Sequence, residues 1–512
     1  MSSTLLTFFQ KYTKAIVLLF FAAYLLLGVV WSADYGVSTD ESFEANTAQI
    51  TIDYVTGAND RLLTYEDRHY GALFALLLQA ASSPFSDSRD NLLARHLVTF
   101  LFFYLSTLLF YKLLRKLGYN SWYALLGTAL LILNPQIFGH SFFNPKDTPF
   151  LSMFIVGLTT LTDFAQKPTL RTALLHGIVS GLLVVFRLPG GLMWAITAVI
   201  LLWMLWAKRV SFKDALGLGA MYLLLACLSL YAFLPVLWHD PIGEITTYLS
   251  MSPITWTGSE LLLGQRYELS RIPWFHLPVY FVVTTPLGYL ALFGLGGVAL
   301  VWKRFRSGLN ERGVIVLTAL VVSVGLLVVM HPRVYNGWRH VFFLYPMIVL
   351  VMMEGIAWVW TWKENVLVRY GLPALVAVEL LLVAISIAQL HPYEYVYYNR
   401  LAGVPSNAPR QNYIMDYWGL SYREAFETIL ANDDRERIII SVESFVPAEQ
   451  NLAILPKEDR ERVVLQEIHV GILDDYYITN FKETVDPRPS NLKPVGEVKV
   501  GSTIINATFI PR

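Results

Sequence analysis

The run AIVLLFFAAYLLLGVVW (Ala15–Trp31) contains no charged side chain and indicates the fold class of this chain. A helix needs about 20 mostly apolar residues to cross a bilayer, so this run with its flanks predicts a spanning helix. Ten more apolar runs follow, two of them short enough to be tilted, broken or extended into the interface. The predicted spans are Ala15–Trp31, Leu92–Leu114, Ser121–Phe138, Thr148–Phe164, Thr172–Phe186, Gly191–Trp206, Ala215–Leu237, Trp274–Val301, Val314–Met330, Val341–Trp360 and Gly371–Leu390. The segment Tyr70–Ala81 is too short to span and predicts an interfacial or re-entrant helix.

Composition supports a membrane protein over other classes. Of the 512 residues, 55% are hydrophobic and 15% are charged, whereas soluble chains carry about 25% charged residues. The net charge is zero, and the single cysteine, Cys227, lies in an apolar run. These features exclude a disordered chain, an ordinary cytosolic enzyme, a disulfide framework and a Cys-based zinc site. With no net positive charge, we expect the lipid bilayer and no nucleic acid as a partner.

Basic residues predict the orientation, because short cytoplasmic loops are enriched in Lys and Arg. Every second loop is basic: Lys11 and Lys14; Lys112, Arg115 and Lys116; Lys167 and Arg171; Lys208, Arg209 and Lys213; Lys303, Arg304, Arg306 and Arg312; Lys363 and Arg369. This places the N-terminus in the cytoplasm, with a retained first helix, and the C-terminus outside.

Two parts are distinguished along the chain. Residues 1–390 form the predicted transmembrane module, whose first outer loop, residues 32–69, is rich in acids. Residues 391–512 are more polar and predict a small extracytoplasmic α/β domain. Its predicted elements are a helix at Tyr422–Leu430 and strands at Arg437–Val442, Arg462–Gln466, Tyr476–Phe481, Glu497–Val500 and Thr503–Phe509.

The motif Ser38-Thr39-Asp40-Glu41 follows the first span. Ser38 and Glu41 fit a capping box, which alone would make the motif a helix start. The functional interpretation is a general base, since a carboxylate beside apolar surface can take a proton from an attacking hydroxyl. Asp40 and Glu41 are therefore candidate catalytic residues.

A second motif, Asn144-Pro145-Lys146-Asp147, precedes the fourth span on the same face. It is typical of a turn in which Asp147 caps the next helix. Adjacent Lys and Asp at a helix start also suit an anionic ligand or a metal-linked phosphate.

Positive charge recurs on the outer face, where topology disfavours it. The residues are Arg187, Arg333, Arg339 and His340. Snorkelling to lipid headgroups is the ordinary explanation. A phosphate clamp is the sharper one, because Arg matches phosphate oxygens in bidentate fashion.

Tyrosines near these motifs are candidate substrate-lining residues. They are Tyr335, Tyr393 and Tyr397, although an aromatic belt at the membrane interface explains most of the last two. The sequence holds no HExxH motif or close His pair that would indicate a dedicated zinc site.

Together these pieces resemble the GT-C polyprenyl-phosphate-sugar glycosyltransferases, in the branch of the protein O-mannosyltransferases and the lipid A aminoarabinose transferases. The resemblance covers roughly Ala15–Gly419. It is carried by Asp40-Glu41, by Asn144–Asp147, by Arg339-His340, and by His391–Asn399 with Asp416-Tyr417-Trp418-Gly419.

The resemblance implies a polytopic α-helical fold with about eleven spans. It also implies transfer of one sugar from a polyprenyl-phosphate donor to an extracytoplasmic acceptor, usually with inversion. Asp40 would act as the base, with Glu41 as its partner or substitute. Asp147 would orient the acceptor or engage a divalent metal, which the sequence leaves open.

Further consequences follow for the donor and for the location. Lys146, Arg187, Arg333 and Arg339 are candidates to hold the donor phosphate, and a bacterial inner membrane is the expected location. The acceptor, whether protein, lipid or glycan, is not identified.

Two other classes of function remain. A transporter or flippase of lipid-linked sugars would need ionisable residues near mid-span, and the candidates are Glu354 and Glu379. A receptor or assembly protein would use the C-terminal domain, which carries no recognisable ligand motif.

Overall fold

The structure is a computed structural model that describes residues 3–250, 258–306, 308–330, 332, 334–403, 409–467, 474–482 and 492–511. Within these ranges, nine helices are long and apolar enough to cross a membrane. They are Tyr12–Trp31, Ser88–Lys116, Asp147–Gln166, Leu188–Trp206, Phe212–Phe233, Leu287–Arg306, Glu311–Met330, Arg339–Trp362 and Leu367–Leu390.

The two other predicted spans correspond to less regular helices. Ser121–Ile132 and Pro135–Phe143 form one broken unit with a bend of 69°. The break has a local cause: Asn134 caps the second piece by accepting from the Ile137 amide, and Pro135 occupies its first turn. Leu170–Phe186 is a 17-residue apolar helix, which suits a tilted or locally thinned crossing. About eleven spans are therefore consistent with the structure.

A second predicted span is also not one continuous helix. Trp274–Val301 is two helices, His276–Thr284 and Leu287–Arg306. Pro286 lies in the break, where it cannot donate a backbone hydrogen bond and its ring opposes helix continuation.

The helix Arg339–Trp362 lies at the centre of the bundle. In its most apolar stretch, 83% of the residues are buried inside the protein, whereas the corresponding share is 17% for both the first and the last span. It packs against Leu287–Arg306 through glycines, since a Cβ on Gly296 would lie 1.9 Å from the carbonyl oxygen of Val351. Such close helix contact is typical of membrane bundles, and here it fixes the helix that begins at Arg339.

The remaining α-helices that the structure describes are shorter. They are Thr39–Val55, Leu73–Ser82, Pro241–Ser250, His276–Thr284, Pro409–Asn412, Tyr422–Asn432, Phe445–Ala453 and Lys457–Glu461. The helix Leu73–Ser82 confirms the short helix predicted at Tyr70–Ala81. An antiparallel hairpin of β1 (Ser259–Leu262) and β2 (Gln265–Glu268) was not predicted.

The C-terminal part contains a mixed five-stranded sheet. Its strands are β3 (Ile438–Val442), β4 (Val463–Glu467), β5 (Tyr476–Thr479), β6 (Leu492–Val500) and β7 (Thr503–Pro511), in the order β4-β3-β5-β7-β6. The helix Tyr422–Asn432 packs against β6 and β7, and its Phe426 and Ile429 belong to the same buried apolar cluster as Ile438 and Ile440 of β3. The small α/β fold predicted for this part is confirmed.

Candidate functional site

The helix Thr39–Val55 places two carboxylates at one end of the bundle. It begins after Ser38, whose extended backbone and capping box with Glu41 provide partners for the amides of Ser38 and Glu41. Asp40 and Glu44 are four residues apart, so their side chains lie on the same face of the helix. The side chain of Asp40 is 15% exposed and that of Glu44 is 7% exposed.

Asn144 organises the segment that carries the next two charges. Its Oδ1 accepts hydrogen bonds from the amides of Lys146 and Asp147 at 3.0 and 2.8 Å. Its Nδ2 donates to Asp147 Oδ2 at 2.9 Å. The turn predicted here is therefore present, and it holds both charged residues at the start of the helix Asp147–Gln166.

Lys146 reaches across to the first-loop helix. Its Nζ lies 3.6 Å from Asp40 Oδ1 and 3.3 Å from Glu44 Oε1. It also lies over the ring of Tyr70 at 5.6 Å from the centroid, a cation–π distance. Lys146 thus contacts both carboxylates and, with Tyr70 and Arg187, also lines a narrow cleft.

Two arginines complete the cluster. Arg339 Nη1 lies 3.4 Å from Asp40 Oδ2 and 2.9 Å from Asp147 Oδ2. Arg187 forms an ion pair with the other oxygen of Asp147. The guanidinium of Arg339 stacks 4.6 Å from the ring of Trp418 and 5.2 Å from that of Tyr335. Three cations and three carboxylates therefore form one connected network, which we call the charge cluster: Asp40, Glu44, Lys146, Asp147, Arg187 and Arg339.

The electrostatics favour an ionised Asp40. Burial opposes ionisation, but the charges of Lys146, Arg339 and Arg187 outweigh it and hold the pKa of Asp40 below its usual value. Burial raises the pKa of Glu44 despite the nearby Lys146. Burial alone would lower the pKa of Lys146, yet Asp40 and Glu44 raise it. Lys146 therefore keeps its positive charge, and Asp40 is more readily ionised than Glu44.

The structure separates several predicted residues from this cluster. Glu41 is 4% exposed and pairs with Ser38 at the helix cap and with His96 Nε2 at 3.1 Å. Tyr393 donates to Glu424 at 2.7 Å, away from the cluster. The backbone carbonyl of Tyr397 accepts a hydrogen bond from Gln136 Nε2 at 3.4 Å.

The remaining predicted residues have different positions. The ring of His340 lies 4.8 Å from that of Tyr335, beside the cluster, whereas Arg333 lies outside the described residues. The part of the chain that the structure describes holds no group of three His, Cys, Asp or Glu side chains placed to bind a metal.

The sequence interpretation missed Glu44 and Tyr70 and gave Trp418 no role in the site. Glu44 had a signal, since a second acid four residues after Asp40 on a predicted helix must share its face. Tyr70 had none, because the tertiary fold alone brings it to Lys146. Trp418 had only its place in the Asp416–Gly419 motif, which did not connect it to Arg339.

Comparison with known proteins supports the fold. Residues 76–240 match the family described as dolichyl-phosphate-mannose-protein mannosyltransferase, a range that contains Lys146, Asp147 and Arg187. No curated protein matches the sequence.

Two solved structures are similar over nearly the whole chain, both of ArnT from Cupriavidus metallidurans. The apo structure has 11% sequence identity and a TM-score of 0.50, covering 97% of this chain and 98% of that one. The structure bound to undecaprenyl phosphate has 12% identity and a TM-score of 0.49, with the same coverage. The likeness to the apo structure confirms the GT-C fold predicted from the sequence.

Proposed function

We propose that this chain, a membrane-embedded glycosyltransferase of the GT-C type that matches the mannosyltransferase family over residues 76–240, transfers one sugar from a polyprenyl-phosphate donor to an extracytoplasmic acceptor. The observation that carries the proposal is the charge cluster, in which Asp40 meets Lys146, Arg187 and Arg339. Headgroup snorkelling would instead leave these cations pointing outward and apart.

The reaction is a single inverting displacement. The acceptor oxygen forms a bond to the anomeric carbon while the bond from that carbon to the phosphate oxygen breaks. The acceptor proton passes to a carboxylate, and polyprenyl phosphate leaves with one additional negative charge. Such a step needs a base on one side of the sugar and fixed positive charge on the other.

Asp40 is the proposed base. It is ionised, partly accessible and held between Lys146 and Arg339. Glu44 is the alternative, since its pKa is raised and it lies beside the same lysine. Glu41, engaged at the helix cap and with His96, serves to hold the helix rather than to take the proton.

Lys146, Arg187 and Arg339 are the proposed phosphate ligands. Lys146 and Arg187 line the cleft, and both types of side chain bind phosphate oxygens through charge-assisted hydrogen bonds. Asp147 is 2% exposed and contacts both arginines. Its proposed role is to orient these guanidiniums, which replaces the acceptor or metal contact suggested by the sequence.

The proposed setting is a bacterial inner membrane, with the N-terminus in the cytoplasm and the charge cluster outside. The transmembrane module is residues 1–390 and the extracytoplasmic domain is residues 391–512. The segment that leads into the C-terminal sheet lies at the same end of the bundle as the cluster, since Trp418 contacts Arg339. A separate observation argues against a transporter. Glu354, an acid in a membrane helix, pairs with Lys303 and Arg312 from two other helices. Its charge is therefore neutralised rather than free for transport.

The test is sugar transfer by purified protein in detergent, using radiolabelled undecaprenyl-phosphate sugars and a panel of protein, lipid and glycan acceptors. We expect transfer with at least one donor, and loss of about 10²–10⁴-fold in the Asp40→Asn variant. Asp60→Asn is the matched control, because Asp60 is exposed beyond the end of the same helix. Donor flipping in liposomes without any transfer would contradict the proposal and support the flippase.

A further inference from the structure

The C-terminal part contacts the loop that leads to the charge cluster through one buried side-chain amide. Asn451 lies on the helix Phe445–Ala453 and is fully buried. Its Oδ1 accepts a hydrogen bond from the Val37 amide at 2.8 Å, and its Nδ2 donates to the Val37 carbonyl at 2.9 Å. One side chain therefore satisfies both backbone groups of a residue three positions before Asp40.

The same amide holds a second segment of the site. Asn451 Nδ2 also lies 3.0 Å from the carbonyl oxygen of Gly419 and 2.8 Å from that of Pro447. Gly419 follows Trp418, whose ring stacks on the guanidinium of Arg339. Asn451 thereby joins the loop that leads to the proposed base and the loop that covers a proposed phosphate ligand.

The C-terminal part comes so close to the first outer loop that position 36 requires glycine. A Cβ on Gly36 would lie 2.4 Å from Asn451 Oδ1 and 2.4 Å from the Leu420 carbonyl oxygen. A larger residue would displace one of the two segments. Burial excludes water as a substitute partner, so loss of the Asn451 side chain would leave the buried backbone amide and carbonyl of Val37 unpaired.

We infer that Asn451 is a positioning residue through which the C-terminal domain sets the geometry of Asp40 and Trp418. The inference rests on the proposed function and gives the C-terminal domain a part in the reaction without contact with substrate. A shift of about 1 Å in a reacting group can cost about 10²-fold in rate, so a small movement of Val37 is sufficient to matter.

Two variants test the inference. Asn451→Ala removes every hydrogen bond of the Asn451 side chain, and Asn451→Asp keeps the shape but places a carboxylate against three carbonyl oxygens. Arg423 still donates to the Ala33 and Tyr35 carbonyls at 2.8 and 2.9 Å, so the loop stays attached and the variants are expected to fold. Glu449→Gln is the control, because Glu449 is exposed on the same helix.

The first readout is independent of activity. Amide hydrogen exchange is measured for peptides covering residues 34–43 in the full-length protein. We expect exchange about tenfold faster in both Asn451 variants, since the Val37 amide loses its acceptor or its ordered partner. Unchanged exchange would overturn the inference whatever the activity.

The second readout is the turnover of folded enzyme with undecaprenyl-phosphate sugar. We expect kcat to fall by up to about 10²-fold, with a smaller change in the donor KM because Lys146 and Arg187 are held by membrane helices. A merely structural role would lower the yield of folded protein and leave kcat unchanged, which would also overturn the inference. Wild-type protein that turns over no donor would contradict the proposed function, and the exchange data would then decide the role of Asn451 alone.

Discussion

Replacing Lys146 by Met should change both donor affinity and the pH dependence of transfer. Lys146 Nζ lies 3.6 Å from Asp40 Oδ1, and at an effective dielectric of about 20 this attraction amounts to roughly 4–5 kcal/mol before solvation costs. An opposite charge this close lowers a carboxyl pKa by about 1–3 units. Without Lys146 the pKa of Asp40 therefore rises. Because the base must be ionised, the acidic limb of the activity profile should move to higher pH by about the same amount.

The assay combines kcat/KM from pH 4 to 9 with equilibrium binding of undecaprenyl phosphate. Loss of one charge-assisted hydrogen bond of about 1.5–3 kcal/mol should weaken binding by roughly 10- to 150-fold. Lys116→Met is the control, since Lys116 pairs with Asp163 at 2.6 Å outside the charge cluster. An unchanged acidic limb together with unchanged lipid affinity would refute the role of Lys146 in the site.

Other predictions concern stability and topology. Glu41→Gln should lower thermal stability by about 0.5–2 kcal/mol through the weakened helix cap, while kcat of the folded enzyme stays near normal; a selective loss of kcat would return Glu41 to the catalytic group. Burial opposes the charge on His391, but Glu394 and Asp34 raise its pKa. Its contribution to stability should be fully present below pH about 6.5 and lost as pH rises through the higher folded pKa; His391→Gln should remove this slope from Tm measured against pH. Reporter fusions after Asn310 and at the C-terminus should report inside and outside, and the same side for both would contradict the topology.

The sequence predicts the spans well because an apolar run is a local property. The errors occur where a local breaker competes with the apolar average. Pro286 divides one predicted span, and the Asn134-Pro135 pair bends another by 69°. A hydropathy window averages over such residues, whereas helix hydrogen bonding does not.

The charge cluster is less accessible to sequence reasoning. Arg339 and Asp40 are 299 residues apart, and no periodicity connects them. Topology indicated only that they share a face of the membrane. Within one helix more could be predicted, since the helical period places Glu44 on the face of Asp40 and turns Glu41 toward the cap.

The most direct test of the central claim is an experimental structure of the protein with undecaprenyl phosphate bound. The account predicts phosphate oxygens about 3 Å from at least two of Lys146, Arg187 and Arg339, with Asp40 facing the space left for the sugar and the acceptor. A phosphate bound elsewhere, with the charge cluster intact and closed, would contradict it.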